Sequence, residues 1–358
     1  MRYYQLIMES KVGRNLQHLE DLVFVDGSEG AFRALDILER FSGDTSDVSI
    51  KWDGTPAVIF GRDENGDFIL TDISGFNAKG YDGRVKSPEA LEKMLLSRGR
   101  RDVDDSRREF AANMKKIWPA FESAVPENFR GFIHGDLLYT DTPPLKNGSF
   151  VFTPNKVTYT VKQKSDIGRR IANSDVGVVV HTHTTLGGNV EKADPDMLRE
   201  GKLFIMPPVI MQDKPQTDSQ KIEQLREEVK KKANIIDKLI ELKPGLTDIR
   251  KIIYTYVNQM SREKRWNELK TGFADWLKNS KVSEKKQEKI LNSPDFKHYP
   301  VLFDLVIRIQ ELKNDVIEHF DKSGVDVKAS IGNKPGGEGY VAARDKVKLV
   351  PRHKWTIG

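Results

Sequence analysis

The 358-residue sequence contains no cysteine and no long hydrophobic run. The absence of thiols excludes disulfide bonds, cysteine-ligated zinc, iron–sulfur clusters and thiol catalysis. No apolar run approaches the roughly 18 residues that a membrane-spanning helix needs. Residues 1–11 hold only a short apolar piece close to Glu9, which is not typical of a secretory signal. We therefore expect a cytoplasmic protein (in the host cytoplasm if the source is viral) without a membrane partner.

A strong excess of one charge is also missing. The chain has 58 Lys and Arg residues against 53 Asp and Glu residues, which gives a net charge of +5. This mild excess permits a nucleic-acid partner without requiring one. Residues 217–323 hold 22 basic and 18 acidic residues, so most of the excess lies there. Hydrophobic residues make up 38% of the chain, enough for a substantial core.

The hydrophobic pattern changes twice along the chain. Residues 13–41 predict two short helices separated near Asp26-Gly27, and strand patterns with a few helices follow. Residues 220–320 show almost only helical periodicity, and short strands return after Gly324. We therefore predict a core formed by residues 1–215 and 324–358, with residues 216–323 as an inserted helical module.

Four short motifs draw attention through their order. They are Lys51-Trp52-Asp53-Gly54, His134-Gly135-Asp136-Leu137, Glu338-Gly339-Tyr340-Val341 and Lys346-Val347-Lys348-Leu349. The first two are each predicted to follow a strand, and the last two to lie on adjacent strands. Each motif alone is equally typical of an exposed turn or a polar strand end. Only the four together indicate a shared site.

In this combination the sequence resembles the covalent nucleotidyltransferase superfamily of ATP-dependent DNA ligases, RNA ligases and mRNA capping enzymes. The resemblance implies an α+β fold: an antiparallel-sheet nucleotidyltransferase core, ATP-grasp-like, carrying the helical insertion. Because only ten residues follow Lys348, we expect no C-terminal OB domain, as in RNA ligases. The segment His18-Leu19-Glu20-Asp21-Leu22 and the helices before Glu338 resemble phage ligases that join a 3′-OH RNA end to a 5′-phosphate DNA end.

The resemblance also implies a role for each motif. Lys51 would attack the α-phosphate of ATP, and nearby cations would favour the neutral, nucleophilic form of a lysine. Lys346 and Lys348, expected on one strand face, would stabilise negative charge on the phosphates. The implied cofactors are ATP and Mg²⁺ or Mn²⁺, with Glu338 and Asp136 as metal ligands and Lys51, Asp53, Gly54, Asp136, Val180 and Lys348 as nucleotide-binding residues.

One departure from the family pattern concerns the adenine pocket. Val180 stands where these enzymes have an aromatic residue that stacks on adenine, so an apolar face would have to serve. The neighbouring His181 and His183 alternate and leave a zinc site open as a second interpretation, although no third ligand is evident nearby. No P-loop sequence is present, which disfavours an ordinary ATPase.

Candidate nucleic-acid contacts lie outside the four motifs. Lys79 belongs to a glycine-rich loop that could contact substrate phosphate, and the helical module contains basic clusters that could grip a duplex. Glutamates near these clusters leave open an ordinary solvated helix face. The basic residues of the clusters are Lys230, Lys231, Lys232, Lys264 and Arg265.

The function predicted from these features is that of an ATP-dependent polynucleotide ligase. It would act as a monomer on nicked duplex nucleic acid, through a lysyl-AMP intermediate. Three alternatives stay open: a general DNA or RNA repair ligase, an mRNA capping guanylyltransferase, and a catalytically idle nucleic-acid-binding or virion protein.

Overall fold

The computed structural model describes residues 16–77, 85–98, 103–323 and 326–352, whose α-helices and antiparallel-rich sheets confirm a mixed α and β fold. The strands are β1 (Gln17–His18), β2 (Val48–Ile50), β3 (Ala57–Arg62), β4 (Phe68–Asp72), β5 (Gly131–Tyr139), β6 (Leu145–Lys146), β7 (Ser149–Phe152), β8 (Thr158–Lys162), β9 (Val176–Thr184), β10 (Val190–Lys192), β11 (Leu203–Ile205), β12 (Val327–Ile331), β13 (Lys334–Pro335), β14 (Tyr340–Ala342) and β15 (Val347–Leu349). The α-helices are α1 (Leu22–Arg40), α2 (Ile73–Asn77), α3 (Pro88–Ser97), α4 (Asp105–Ala124), α5 (Asp166–Ala172), α6 (Ser219–Ile240), α7 (Ile249–Arg262), α8 (Phe273–Lys278), α9 (Glu284–Leu291) and α10 (Tyr299–Lys322).

These elements belong to two compact units. The first unit contains the described residues within Trp52–Val209 and Gly324–Gly337, and the second contains those within Leu16–Lys51, Ile210–Ser323 and Glu338–Gly358. The boundary thus divides the first motif between its lysine and its tryptophan. The helices α6 to α10, predicted as an insertion, share the second unit with α1, β2, β14 and β15.

A six-stranded sheet forms much of the first unit. Its order is β10-β9-β5-β3-β4, with β11 added parallel to β9. Alternate side chains of a strand face opposite sides of the sheet, and on one side Phe60 and Ile133 pack with Trp118 and Phe121 of α4. Both α3 and α4 have capped N-termini, because Ser87 and Asp104 accept hydrogen bonds from backbone amides of the first turns.

A second, antiparallel sheet in the first unit has the order β13-β12-β8-β7-β6. One of its faces is aromatic: Phe152 and Tyr159 contact the ring of Trp52, whose centroid lies 4.6 Å from that of Tyr159. Trp52 and Tyr159 are buried. The tryptophan of the first motif is therefore a core residue that fixes the chain directly after Lys51.

The second unit combines a small sheet with helices. Its sheet has the order β1-β15-β14-β2, and Tyr340 on its buried face packs against Phe320 of α10. The predicted break in the N-terminal helix is confirmed, since Gly27 has φ 64° and ψ −131° within α1. A Cβ there would lie 2.2 Å from a carboxylate oxygen of Asp237, which accepts a hydrogen bond from the amide of Ser28.

Among the described residues, no helix has both the length and the apolar content to cross a membrane.

Candidate functional site

The four-stranded sheet of the second unit brings two of the motif lysines to one face. Val341 of β14 lies opposite both Ser49 of β2 and Lys348 of β15, and His18 of β1 lies beside Lys348. Lys51 directly follows β2 and lies beside this face, because its backbone amide still pairs with Gly339 and its charge acts on both Lys348 and His18. The opposite face is apolar and buried, and it consists of Val48, Ile50, Tyr340, Ala342, Val347 and Leu349.

Glu338 joins this face through an ion pair with Lys51. The carboxylate of Glu338 contacts the ammonium of Lys51, and the two side chains are 27% (Lys51) and 22% (Glu338) exposed, so solvent and a ligand can reach both. The backbone amide of Lys51 donates a hydrogen bond to the carbonyl of Gly339 at 2.9 Å, which aligns the ends of β2 and β14. Residues 51 and 338 are far apart in sequence and meet because their strands pair.

Two further groups set the electrostatics of this face. Burial, together with the charge of Lys51, lowers the pKa of Lys348. Burial, and after it the charge of Arg352, lowers the pKa of His18 far below its usual range. His18 is therefore a neutral imidazole, and its Nδ1, 3.9 Å from Glu20, makes no ion pair. The face thus offers lysine cations and one neutral histidine to an anionic ligand.

Behind His18 lies a buried ionic cluster that the sequence analysis missed. Lys313 is 0% exposed, and its Nζ donates to a carboxylate oxygen of Glu20 at 2.7 Å and to the carbonyl of Val350 at 2.8 Å. Arg352 donates to Asp21 at 2.5 Å. Burial acts to raise the pKa of Glu20, but Lys313 and Arg352 outweigh it and hold that pKa below its usual value. The available signal was a lysine on the apolar side of α10, between Leu312 and Val316.

Lys346 does not share this face, and that expectation is corrected. It lies in the turn before β15 with φ 56°, and its side chain is exposed. Strand alternation applies only within a strand, and β15 begins one residue later, at Val347. Of the two lysines in the fourth motif, only Lys348 lies on the sheet.

Asp53 of the first motif forms its hydrogen bonds within the first unit. Asp53 is buried, and its carboxylate accepts hydrogen bonds from Asn155 Nδ2 at 2.9 Å and from the amides of Lys156 and Val157 at 3.0 and 3.3 Å. Its own amide donates to the hydroxyl of Tyr159 at 2.6 Å. The geometry thus gives Asp53 a structural task, which is to fix the turn between β7 and β8.

We expect Asp53→Ala to lower the free energy of unfolding by about 2–3 kcal/mol, because it leaves buried amides without their charged acceptor. Urea titration followed by circular dichroism would measure the change. Asp213→Ala is the matched control, since Asp213 is exposed, and it should change stability by less than about 0.5 kcal/mol. Equal stability of the two variants would show that the carboxylate of Asp53 does not hold this turn.

Gly54 packs against the strand of the second motif. A Cβ at Gly54 would lie 2.7 Å from the Cβ of Asp136 and 2.8 Å from the carbonyl oxygen of Leu137. The amide of Thr55 donates to the same carbonyl at 2.9 Å. Only glycine permits this close approach, so the pattern Asp-Gly reflects packing next to Asp136.

Asp136 lies inside a strand, which corrects the prediction that it follows one. β5 continues to Tyr139, and a bulge shifts its pairing with β9, so that His134 faces Thr182 while Gly135 faces Val180. The extra residue in β9 is His181, whose Nε2 lies 2.8 Å from Asp136 Oδ2. A bulge re-aims a side chain in this way, and it produces an aspartate–histidine pair that the sequence did not reveal.

The other residues proposed for this region have mixed surroundings. Val180 is partly buried and packs against the hydrophobic cluster on the α4 side of its sheet. His183 is buried, and its ring lies 5.2 Å from that of Phe129. Within the described ranges, no three His, Asp or Glu side chains group as metal ligands, so the zinc interpretation gains no support.

The basic clusters of the helical segment are largely paired with acids. Lys230 and Lys232 lie 3.8 and 3.7 Å from glutamates of their own helix, and Arg265 contacts two glutamates at 3.1 and 2.7 Å. Lys231 and Lys264 are exposed. Nearby carboxylates cancel much of the positive potential that a duplex clamp needs. Lys79 lies outside the described residues.

A comparison with known protein families gives a match over almost the whole chain. The model of a family described as a family of unknown function, DUF6267, matches residues 14–357. No curated protein and no solved structure matches the chain.

Proposed function

This chain belongs to a family of unknown function, DUF6267, and we propose that it is an ATP-dependent polynucleotide ligase. Lys51 forms the covalent intermediate with AMP, Lys348 contacts the phosphates and Glu338 binds the metal. The substrate is a nick in duplex nucleic acid, with a 3′-OH RNA end and a 5′-phosphate DNA end.

One observation above all supports this proposal. Lys51 is far in sequence from Glu338 and Lys348, yet the sheet of β2, β14 and β15 gathers the three residues on or beside one accessible face. Its other face is buried. A purely structural sheet would have no need for two lysines and a glutamate together in this half-exposed position, where ion pairs contribute little to stability.

The proposed first step can be written in full. The neutral amine of Lys51 attacks the α-phosphorus of ATP, a phosphorus–nitrogen bond forms, the bond to the β-phosphate oxygen breaks, and pyrophosphate leaves. The ammonium of Lys51 loses one proton before the attack and the attacking nitrogen loses a second one after it, and both protons pass to solvent, which reaches this partly exposed side chain.

Glu338 also fits a role as a ligand of Mg²⁺. It is a hard carboxylate with part of its surface exposed, and Mg²⁺ in phosphoryl-transfer sites commonly uses one or two carboxylates together with substrate phosphates. The ion supplies charge neutralisation at the phosphates when it is bound.

Denaturing mass spectrometry after incubation with a nucleotide and Mg²⁺ tests the proposal. ATP should give a protein heavier by one AMP, and GTP should give none. Absence of an adduct with ATP contradicts the ligase function, and an adduct with GTP alone supports a capping guanylyltransferase instead. Sealing of nicks with RNA or DNA on the 3′-OH side tests the narrower substrate: equal rates would leave a general ligase.

We expect Glu338→Gln to slow AMP transfer by at least about 100-fold, which corresponds to about 2.7 kcal/mol in the barrier. Gln keeps the size of Glu but loses the charge that would bind the metal. A higher concentration of Mn²⁺ should restore part of the rate, because it partly offsets the weaker binding of the metal ion by the variant. Glu311→Gln, at an exposed position of α10, is the control. An unchanged rate for Glu338→Gln would remove this residue from the site.

A further inference from the structure

The five-stranded sheet of the first unit is rich in lysine and free of acids. Residues 142–165 and 327–337 contain all five of its strands and no Asp or Glu, although 53 of the 358 residues of the chain are acidic. An acid-free sheet is therefore unusual for this composition. The lysines of the two segments are Lys146, Lys156, Lys162, Lys164, Lys328 and Lys334.

Strand register sorts three of these lysines onto one face. Ser149 lies opposite both Lys146 and Lys162, and Thr160 lies opposite Lys328. Residues directly opposite each other in antiparallel strands project to the same side. This lysine face is the one away from Tyr159 and Trp52. Its other side chains are mainly small and hydroxylated, namely Ser149, Val151, Thr158, Thr160 and Ser330.

The charge of the lysine face is only weakly compensated. All three lysines are exposed, and Lys162 pairs with Asp326 at 3.1 Å. Within the described part of the chain, no ion pair involves Lys146 or Lys328. The helical clusters differ, because Lys230, Lys232 and Arg265 each contact glutamate.

We propose that the lysine face binds the phosphate backbone of duplex nucleic acid. Lysine, serine and threonine side chains are common donors to phosphate oxygens. β6 and β12 are separated by β7 and β8, and Lys328 is offset by two residues from the row of Lys146 and Lys162. Lys146 and Lys328 are therefore about 16 Å apart at ordinary strand geometry, on the same scale as the roughly 12 Å width of the DNA major groove. Since a polynucleotide is the substrate of the proposed ligase, the identity of this polyanion rests on the proposed function.

The distribution of aromatic residues favours a duplex over a single strand. Proteins that hold single strands present aromatic rings on which bases stack. In this sheet Phe150, Phe152 and Tyr159 are buried on the opposite side. The lysine face can therefore contact the backbone of a strand but offers no ring for its bases.

Fluorescence anisotropy with an unnicked duplex, in the absence of ATP, tests the inference. Lys146→Gln/Lys328→Gln should weaken binding about tenfold near 0.1 M salt and reduce the slope of log K against log salt by about 1.8. The control Lys93→Gln/Lys192→Gln removes the same charge from two exposed positions of the first unit and should stay within twofold of the unchanged protein. Each single variant of the lysine face should give about half the change in slope, which guards against a double variant that fails to fold.

Three results would overturn the inference: equal losses in both double variants, no loss in Lys146→Gln/Lys328→Gln, or tighter binding of single strands than of the duplex. Anionic phospholipid vesicles serve as a further probe, and a loss confined to vesicles would identify a membrane surface instead. Because binding is measured without ATP, a protein that binds the duplex but never forms the AMP adduct would refute only the proposed ligase. If the unchanged protein forms the adduct and the double variant still binds the duplex normally, only the proposal for the lysine face is refuted.

Discussion

Lys51→Ala is expected to abolish the ATP-dependent adduct completely while leaving the protein folded. The variant removes the proposed nucleophile, and the other lysine of this face, Lys348, is proposed to contact the phosphates. It should lower the free energy of unfolding by less than about 1 kcal/mol, because it removes a single, partly exposed ion pair with Glu338. Denaturing mass spectrometry measures the adduct, and urea titration measures the unfolding free energy.

Two further variants separate nucleophilicity from charge. Lys51→Arg keeps a cation next to Glu338, but a guanidinium does not lose its proton near neutral pH and cannot attack phosphorus. It should therefore be as inactive as Lys51→Ala. Lys214→Ala removes an exposed lysine of the second unit and should label normally. An adduct on Lys51→Arg that matched the unchanged protein would place the nucleophile elsewhere.

Lys313→Met is expected to destabilise the protein by about 3–5 kcal/mol, the largest loss of stability predicted for any single substitution here. The side chain is 0% exposed, and its removal leaves the buried carboxylate of Glu20 without its closest cation. The carbonyl of Val350 also loses its donor. Guanidinium titration would measure the effect as a lower midpoint with an unchanged slope.

A double variant and an exposed ion pair test whether the loss comes from one unpaired buried charge. Glu20→Leu/Lys313→Met removes both charges and should recover most of the loss, because the penalty arises from one unpaired buried ion. Lys322→Met breaks a 2.8 Å ion pair with Glu318 on the same helix α10, but there the lysine is 70% exposed, so the cost should be below about 1 kcal/mol. Similar losses in Lys313→Met and Lys322→Met would show that burial of the first pair has no energetic consequence.

Lys313 also bears on the candidate site. Its hydrogen bond to Val350 fixes the chain directly after β15, the strand that holds Lys348. Glu20, its ionic partner, lies two residues from His18 on the neighbouring strand β1. The cluster therefore ties together the two strands that present Lys348 and His18, so that its integrity matters for the geometry of that face as well as for stability.

Several helices and strands, and the order of the four motifs, could be predicted from the sequence alone. Helical and strand periodicities are local properties, so the helices between residues 219 and 322 and the break at Gly27 could be predicted without a structure. The four motifs were visible for the same reason, since each lies within a few consecutive residues. The ligase function and the domain boundaries stay predictions.

Which of these residues meet depends on how distant strands pair, and the sequence does not show that pairing. Register between strands placed Lys348 and Glu338 near Lys51, and it excluded Lys346, because the turn before β15 has its own backbone geometry. A bulge in β9 created the pair of Asp136 and His181. Hydrogen-bond partners and burial are set by chain segments far apart in sequence, and periodicity carries no information about them. For that reason the motif residue Asp53 proved to hold a turn, and the buried Lys313 stayed hidden in an ordinary amphipathic helix.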